Sequence, residues 1–99
     1  EGIYIKELDI TLVDLDKNTS DSLGLDLDTS GVLVKDVGEK NIDLLKDDVI
    51  IQVSSEKINN LDSFEMKVNE SIKLNRDKLL LRVIREGNEI WLINPFVIE

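Results

Sequence analysis

The chain has 99 residues, with 21 acidic and 12 basic side chains, a formal net charge of -9, one Pro, and no Cys, His or Ala. That composition excludes disulfides, thiol nucleophiles, histidine-based triads and His or Cys metal sites within these residues. The acidic balance also argues against nucleic acid, whose binders present a basic face.

The length holds one domain, and a 41% hydrophobic content can build a small core. Nowhere do about 18 apolar residues run together, so no transmembrane helix and no direct membrane insertion is expected. The opening Glu1-Gly2-Ile3-Tyr4 has none of the marks of a signal peptide, and a start without Met reads as a piece excised from a longer protein. Charge is uneven: residues 1–48 hold 13 acids and 5 bases, residues 49–99 hold 8 acids and 7 bases. Nearly all the excess sits in the first half and biases which charged partners approach it.

In chain order, Ile3 to Ile5 is a short apolar run and Ile10 to Leu15 reads as a strand. Asp16 to Ser22 is a loop or a brief helical turn, rich in Asp, Asn, Thr and Ser. Gly31 to Val37 follows a Thr-Ser-Gly turn signal and reads as a strand, and Ile42 to Leu45 as at most one or two helical turns. Val49 to Val53 is a third strand, apolar toward both faces. Leu61 to Ile72 is the best helix: Leu61, Phe64, Val68 and Ile72 fall three and four apart on one face. Asn59 or Asn60 can cap it, and Asp62 complements its dipole. Lys78 to Arg85 and Glu89 to Ile93 form a hairpin across Glu86-Gly87-Asn88. With no Ala, the core must be filled by larger, mostly branched side chains, which favour strands.

Three stretches carry a resemblance. Gly31-Val32-Leu33-Val34-Lys35-Asp36-Val37 is similar to a "G-V-hydrophobic-V-x-x-V" strand. Leu45-Lys46-Asp47-Asp48-Val49-Ile50-Ile51-Gln52-Val53 is similar to "L-K-x-G-D-V-I-x-x-V-N-G". Leu80 to Glu89 is similar to an "L-x-V-x-R-x-G" hairpin. In this order and spacing, from about Ile5 to Ile93, they resemble the PDZ domain of bacterial HtrA/Deg-type serine proteases. The resemblance implies an α+β, mostly β fold: a PDZ-like, partly open barrel or sandwich of five or six strands, capped by one short and one longer helix. It departs from the pattern where Asp47 replaces a Gly, where Ser54-Ser55 replaces the Asn-Gly turn, and where the segment between Val37 and Asp48 is short.

What the resemblance implies is a non-catalytic binding module, residues 1–99 being a single domain of a longer envelope or periplasmic protease. Such a module needs no cofactor. Its partners would be protein C-termini or extended peptides, and the catalytic domain of the same parent chain. A ligand adds as a strand to a sheet edge beside the long helix, its carboxylate held by a nest of backbone N–H groups. The matching loop is Glu7-Leu8-Asp9-Ile10, with Leu8 and Ile10 as apolar walls and Asp9 where Gly is usual. Asp tolerates positive φ less readily than Gly and brings a negative charge to a carboxylate site, with Lys6 as the expected offset. The groove strand runs on through Thr11 and Leu12 to Val13, and the helix contributes Leu61, Glu65 and Val68. Glu65 and the acidic first half favour basic ligands. Two alternatives stay open: a contact module that docks to a neighbouring domain or subunit without binding free peptide, and the PDZ domain of an intramembrane protease or secretion component.

Other constellations lead nowhere. Counted as a calcium loop from Asp14, position six is Thr19 and position twelve is Leu25, where Gly and Glu are required. Ser20, Ser22, Ser54 and Ser55 lack a base, and Asp47 and Asp48 are adjacent residues that point apart. Tyr4 is expected beside the groove and Trp91 in the core or at an edge. Four aromatics are too few for a stacking platform.

Overall fold

The structure, a computed structural model, describes residues 2–97. Its elements in order are β1 (Ile3–Ile5), β2 (Ile10–Asp14), α1 (Lys17–Ser22), β3 (Val32–Val37), β4 (Val49–Val53), β5 (Glu56–Lys57), α2 (Leu61–Lys73), β6 (Lys78–Arg85) and β7 (Asn88–Pro95). The strands pair antiparallel in one sheet of order β1-β2-β3-β4-β6-β7, with two-residue β5 beside β4. The fold is α+β and mostly β, with an unclosed sheet and one short and one longer helix, consistent with a PDZ-like arrangement.

Alternation sets the register of the long hairpin. Leu79, Leu81 and Val83 of β6 lie opposite Asn94, Leu92 and Ile90 of β7 and face the core. Leu80, Arg82, Ile93 and Trp91 face outward, the Arg82 guanidinium lying 4.8 Å from the Trp91 ring centre. Two bulges bend the sheet. Lys35 of β3 drops out of pairing between Thr11↔Asp36 and Leu12↔Val34, and Ile51 of β4 drops out between Ile50↔Val83 and Gln52↔Arg82. The freed Ile51 carbonyl accepts the Ile58 N–H at 2.9 Å and starts the turn toward α2. Gly31 passes so close to the Ile50 carbonyl that a Cβ there would overlap it.

Helix α2 begins where three side chains satisfy its first N–H groups. Asn60 accepts from Ser63 N–H at 2.9 Å, Ser63 Oγ accepts from Asn60 N–H, and Asp14 at the end of β2 accepts from Leu61 N–H at 2.8 Å. Leu61, Phe64 and Val68 are buried against the sheet. Ile72, expected on the same stripe, is 40% exposed and stands in a last turn where Glu70, Lys73 and Leu74 are exposed too.

The short helix lies at Lys17–Ser22, capped by Asp16, whose carboxylate accepts Thr19 N–H at 2.7 Å. Ile42 to Leu45 is not helical. The buried Asn41 side chain accepts the Asp43 and Leu44 N–H groups at 3.1 and 3.0 Å, and this local bonding competes with a helical turn. Asp14, the first position of the calcium loop tested on the sequence, and Asp16 thus act as helix caps. Among the described residues no three acidic side chains stand close enough to hold a metal ion, and no helix is long and apolar enough to cross a membrane.

The charged residues of the second and third motifs meet. Arg85 Nε and Nη2 donate to Asp48 Oδ1 and Oδ2 at 2.9 and 2.7 Å, Nη2 reaches the Asp43 carbonyl at 2.9 Å, and Leu45 N–H donates to Asp48 Oδ2 at 2.8 Å. The Asp48 side chain is 2% exposed, and its hydrogen bonds raise the pKa of Arg85 further above its ordinary value. An Arg85→Met substitution leaves that carboxylate buried with one donor. We expect it to cost about 2–3 kcal/mol in urea unfolding, and a loss below about 0.5 kcal/mol would show instead that water screens the pair.

Candidate functional site

The outer edge of β2, away from β3, is where the resemblance implies that a ligand strand adds. That edge is occupied by the chain itself. Ile3, Tyr4 and Ile5 of β1 pair antiparallel with Leu12, Thr11 and Ile10. Because side chains alternate along a strand, Ile3 and Ile5 share the face of Leu12 and Ile10, and Tyr4 points the other way. Ile5 is 5% exposed and belongs to one apolar cluster with Leu8, Ile10, Leu12, Leu61, Phe64 and Val68, and Ile3 packs against that cluster. Glu65, on the same helix, is half-buried.

The turn from β1 to β2 is held on every side. Leu8 N–H donates to the Ile5 carbonyl at 3.1 Å, and Asp9 N–H to the Lys6 carbonyl at 3.3 Å. The Glu7 carbonyl accepts Val97 N–H at 2.7 Å, and the Leu8 carbonyl accepts Asn41 Nδ2 at 2.8 Å. Asn41 Nδ2 also donates to Asn94 Oδ1 at 3.1 Å, tying the turn to β7. Two amides of the expected carboxylate nest, those of Leu8 and Asp9, therefore face carbonyl oxygens of the chain's own preceding residues.

Asp9 has φ 54° and stays in the left-handed region that the usual Gly would occupy. Its side chain is what the position gains. Oδ1 accepts the Tyr4 hydroxyl at 2.6 Å, Oδ2 accepts Lys40 N–H at 3.0 Å, and the Asp9 carbonyl accepts Gly38 N–H at 2.8 Å. Gly38 makes this possible, since a Cβ there would overlap the Asp9 carboxylate. The Tyr4 hydroxyl first, then the Lys40 amide and the Lys40 charge, hold the Asp9 carboxyl below the usual carboxylate range. Lys40 thus supplies an offset to the Asp9 charge, a role expected of Lys6.

The structure brings Glu7, Leu8, Asp9, Ile10, Thr11 and Leu12 together in the turn and β2, with Leu61 and Val68 in the core cluster beside them. Sequence reasoning did not assign roles here to Ile3, Ile5, Gly38, Lys40 or Asn41. The Ile-Tyr-Ile alternation was the available signal. A separate cleft of about 540 Å³, lined among others by Ser54, Glu56, Lys67, Arg76 and Lys78, lies away from this edge. There Lys67 sits 2.6 Å from Glu56 and 3.0 Å from Glu70, which raise its pKa.

No protein-family model matches the chain, and no curated protein is significantly similar to it.

Two predictions follow the geometry. Asp47, where the resembled pattern has Gly, has φ 74°, and among the described residues its side chain makes no hydrogen bond comparable to those of Asp9. Asp47→Gly is expected to raise stability by about 0.5–1 kcal/mol, whereas Asp9→Gly gains nothing in thermal melts, because it loses the Tyr4 and Lys40 contacts. Equal gains at both sites would show that the Asp9 contacts carry no weight. The second concerns pH. A carboxylate whose folded-state pKa is depressed contributes stability above its unfolded value of about 3.9 and loses it as pH falls through the folded value. The stability difference between the chain and its Tyr4→Phe variant is therefore expected to be full at neutral pH and to vanish as the medium is acidified below that range. A difference that stays constant down to pH 2 would contradict the Tyr4–Asp9 assignment.

Proposed function

We propose that the chain is a peptide-binding module of the PDZ type, from an HtrA/Deg-type serine protease of the cell envelope. It takes extended segments of substrate proteins by strand addition to β2 and is itself non-catalytic. The three sequence motifs support this reading. The observation that carries it is that the β2 edge accepts an antiparallel strand whose C-terminal end meets the amides of the Lys6–Asp9 turn. Binding of this kind rests on backbone hydrogen bonds and apolar pockets and needs neither His nor Cys. The catalytic domain of the parent chain is the second partner, and substrate presentation to it is the module's task.

The occupied edge also favours a second reading, a contact module that docks to neighbouring domains without taking free peptide.

Titration of the isotope-labelled chain with extended peptides, free-acid and amidated, basic and neutral, tests the first reading. We expect NMR shift changes along Glu7 to Leu12 and on the Leu61, Glu65 and Val68 face of α2. A Glu65→Lys change should weaken Lys- or Arg-bearing peptides by a factor of about 2–5. If no peptide perturbs these residues, the contact-module reading replaces the first.

A further inference from the structure

We infer that β1 is a built-in copy of the groove's ligand: the site selects internal chain segments of apolar-tyrosine-apolar sequence, and β1 must leave before such a segment binds. This rests on the peptide-binding reading above and names the ligand class.

Three observations carry it. First, β1 lies on the β2 edge in the antiparallel sense, with Ile5 buried in the cluster of Leu8, Ile10, Leu12, Leu61 and Val68 and Ile3 packed against it. Two apolar side chains, two residues apart, are therefore what this face accommodates. Second, at the end of β1 a turn amide meets a carbonyl oxygen: Leu8 N–H takes the Ile5 carbonyl. A carbonyl oxygen is what an internal segment offers after its last apolar residue, whereas a chain terminus would bring a second negative charge up to the Asp9 carboxylate. Third, the residue between the apolar pair is read as well. The Tyr4 hydroxyl donates to Asp9 Oδ1, and Asp9 is fixed by Lys40 N–H and by the space that Gly38 leaves. A carboxylate held in this way distinguishes a phenol from a phenyl ring.

The strand is also placed to exchange. It has three residues and forms the outermost edge of the sheet, and Tyr4 and Gly2 are exposed. Only one of its residues is fully buried, so its removal uncovers little apolar surface compared with any central strand.

The chain has no cysteine, so a Tyr4→Cys/Thr11→Cys variant, altered at Cα partners across β1 and β2, gives a lock that closes on oxidation and opens on reduction. The probes are an acetylated and amidated peptide of sequence Gly-Ile-Tyr-Ile-Lys-Glu, its Tyr-to-Phe form, and Gly-Ile-Tyr-Ile with a free carboxylate. We expect the reduced protein to bind the blocked peptide, the oxidised protein to bind it at least about tenfold more weakly, and the Phe form to bind about fivefold more weakly than the Tyr form. Equal binding by the oxidised and reduced protein overturns the inference, because ligand would then not replace β1. Binding of the free-acid peptide alone overturns it too, while leaving the peptide-binding reading intact. No binding by any of the three to the reduced protein overturns both. Should the double variant not fold, hydrogen exchange on the unaltered chain decides the point. Saturating blocked peptide should speed exchange of the residue 3–5 amides by about tenfold or more, and unchanged exchange counts against displacement.

Discussion

The β2 edge runs beside the core, and the pairing of its N–H and C=O groups is the constraint around which this end of the chain is built. The solution is local: the seven residues before and within the turn fold back, and β1 supplies the missing partner. Most of the surrounding detail follows from this. A tight turn puts Asp9 at positive φ, its carboxylate then needs donors, and Tyr4 and Lys40 provide them. The Asp9 side chain needs room, and Gly38 leaves it. The turn's outward carbonyls in turn call for donors, which come from Asn41 and Val97. The β2 edge thus organises residues from three separate stretches of the chain.

The opposite side of the sheet is organised by a different kind of contact. Asp48 and Arg85 join the start of β4 to the end of β6 in a bidentate pair, with the Asp43 carbonyl and Leu45 N–H completing it. Every buried side-chain polar atom among the described residues has a hydrogen-bond partner. In a small core built without Ala from Ile, Leu, Val and one Phe, these polar junctions fix register where the apolar contacts alone allow slippage.

The long elements were legible because each repeats a period several times. The hairpin of β6 and β7 alternates over eight residues per strand, α2 carries its apolar stripe and its Asn cap, and β4 begins at the residue after Asp48. Ile3 to Ile5 was visible only as an apolar run. Its pairing was hidden because the turn Lys6-Glu7-Leu8-Asp9 contains no Gly, Pro or Asn, the left-handed position being filled by Asp9. Two-residue β5 is too short for any period. The non-helical path of Ile42 to Leu45 depends on Asn41, whose side chain reaches both its neighbours and residues 33 and 53 positions away, Leu8 and Asn94. No local pattern encodes that. For the candidate site, Leu8, Ile10, Leu12, Leu61 and Val68 could be placed from periodicity and motif, but that the edge is already filled is a property of the assembled sheet.

The sheet order puts the chain's one tyrosine and one tryptophan on opposite edge strands, Tyr4 on β1 and Trp91 on β7. A phenol bonded to a carboxylate absorbs differently from one in water, so the state of β1 has an optical signature of its own. The indole, stacked under Arg82 on the other edge strand, does not take part in that contact. The native chain therefore carries both a sensor channel and a reference channel, and events at the β2 edge can be followed without attaching a label.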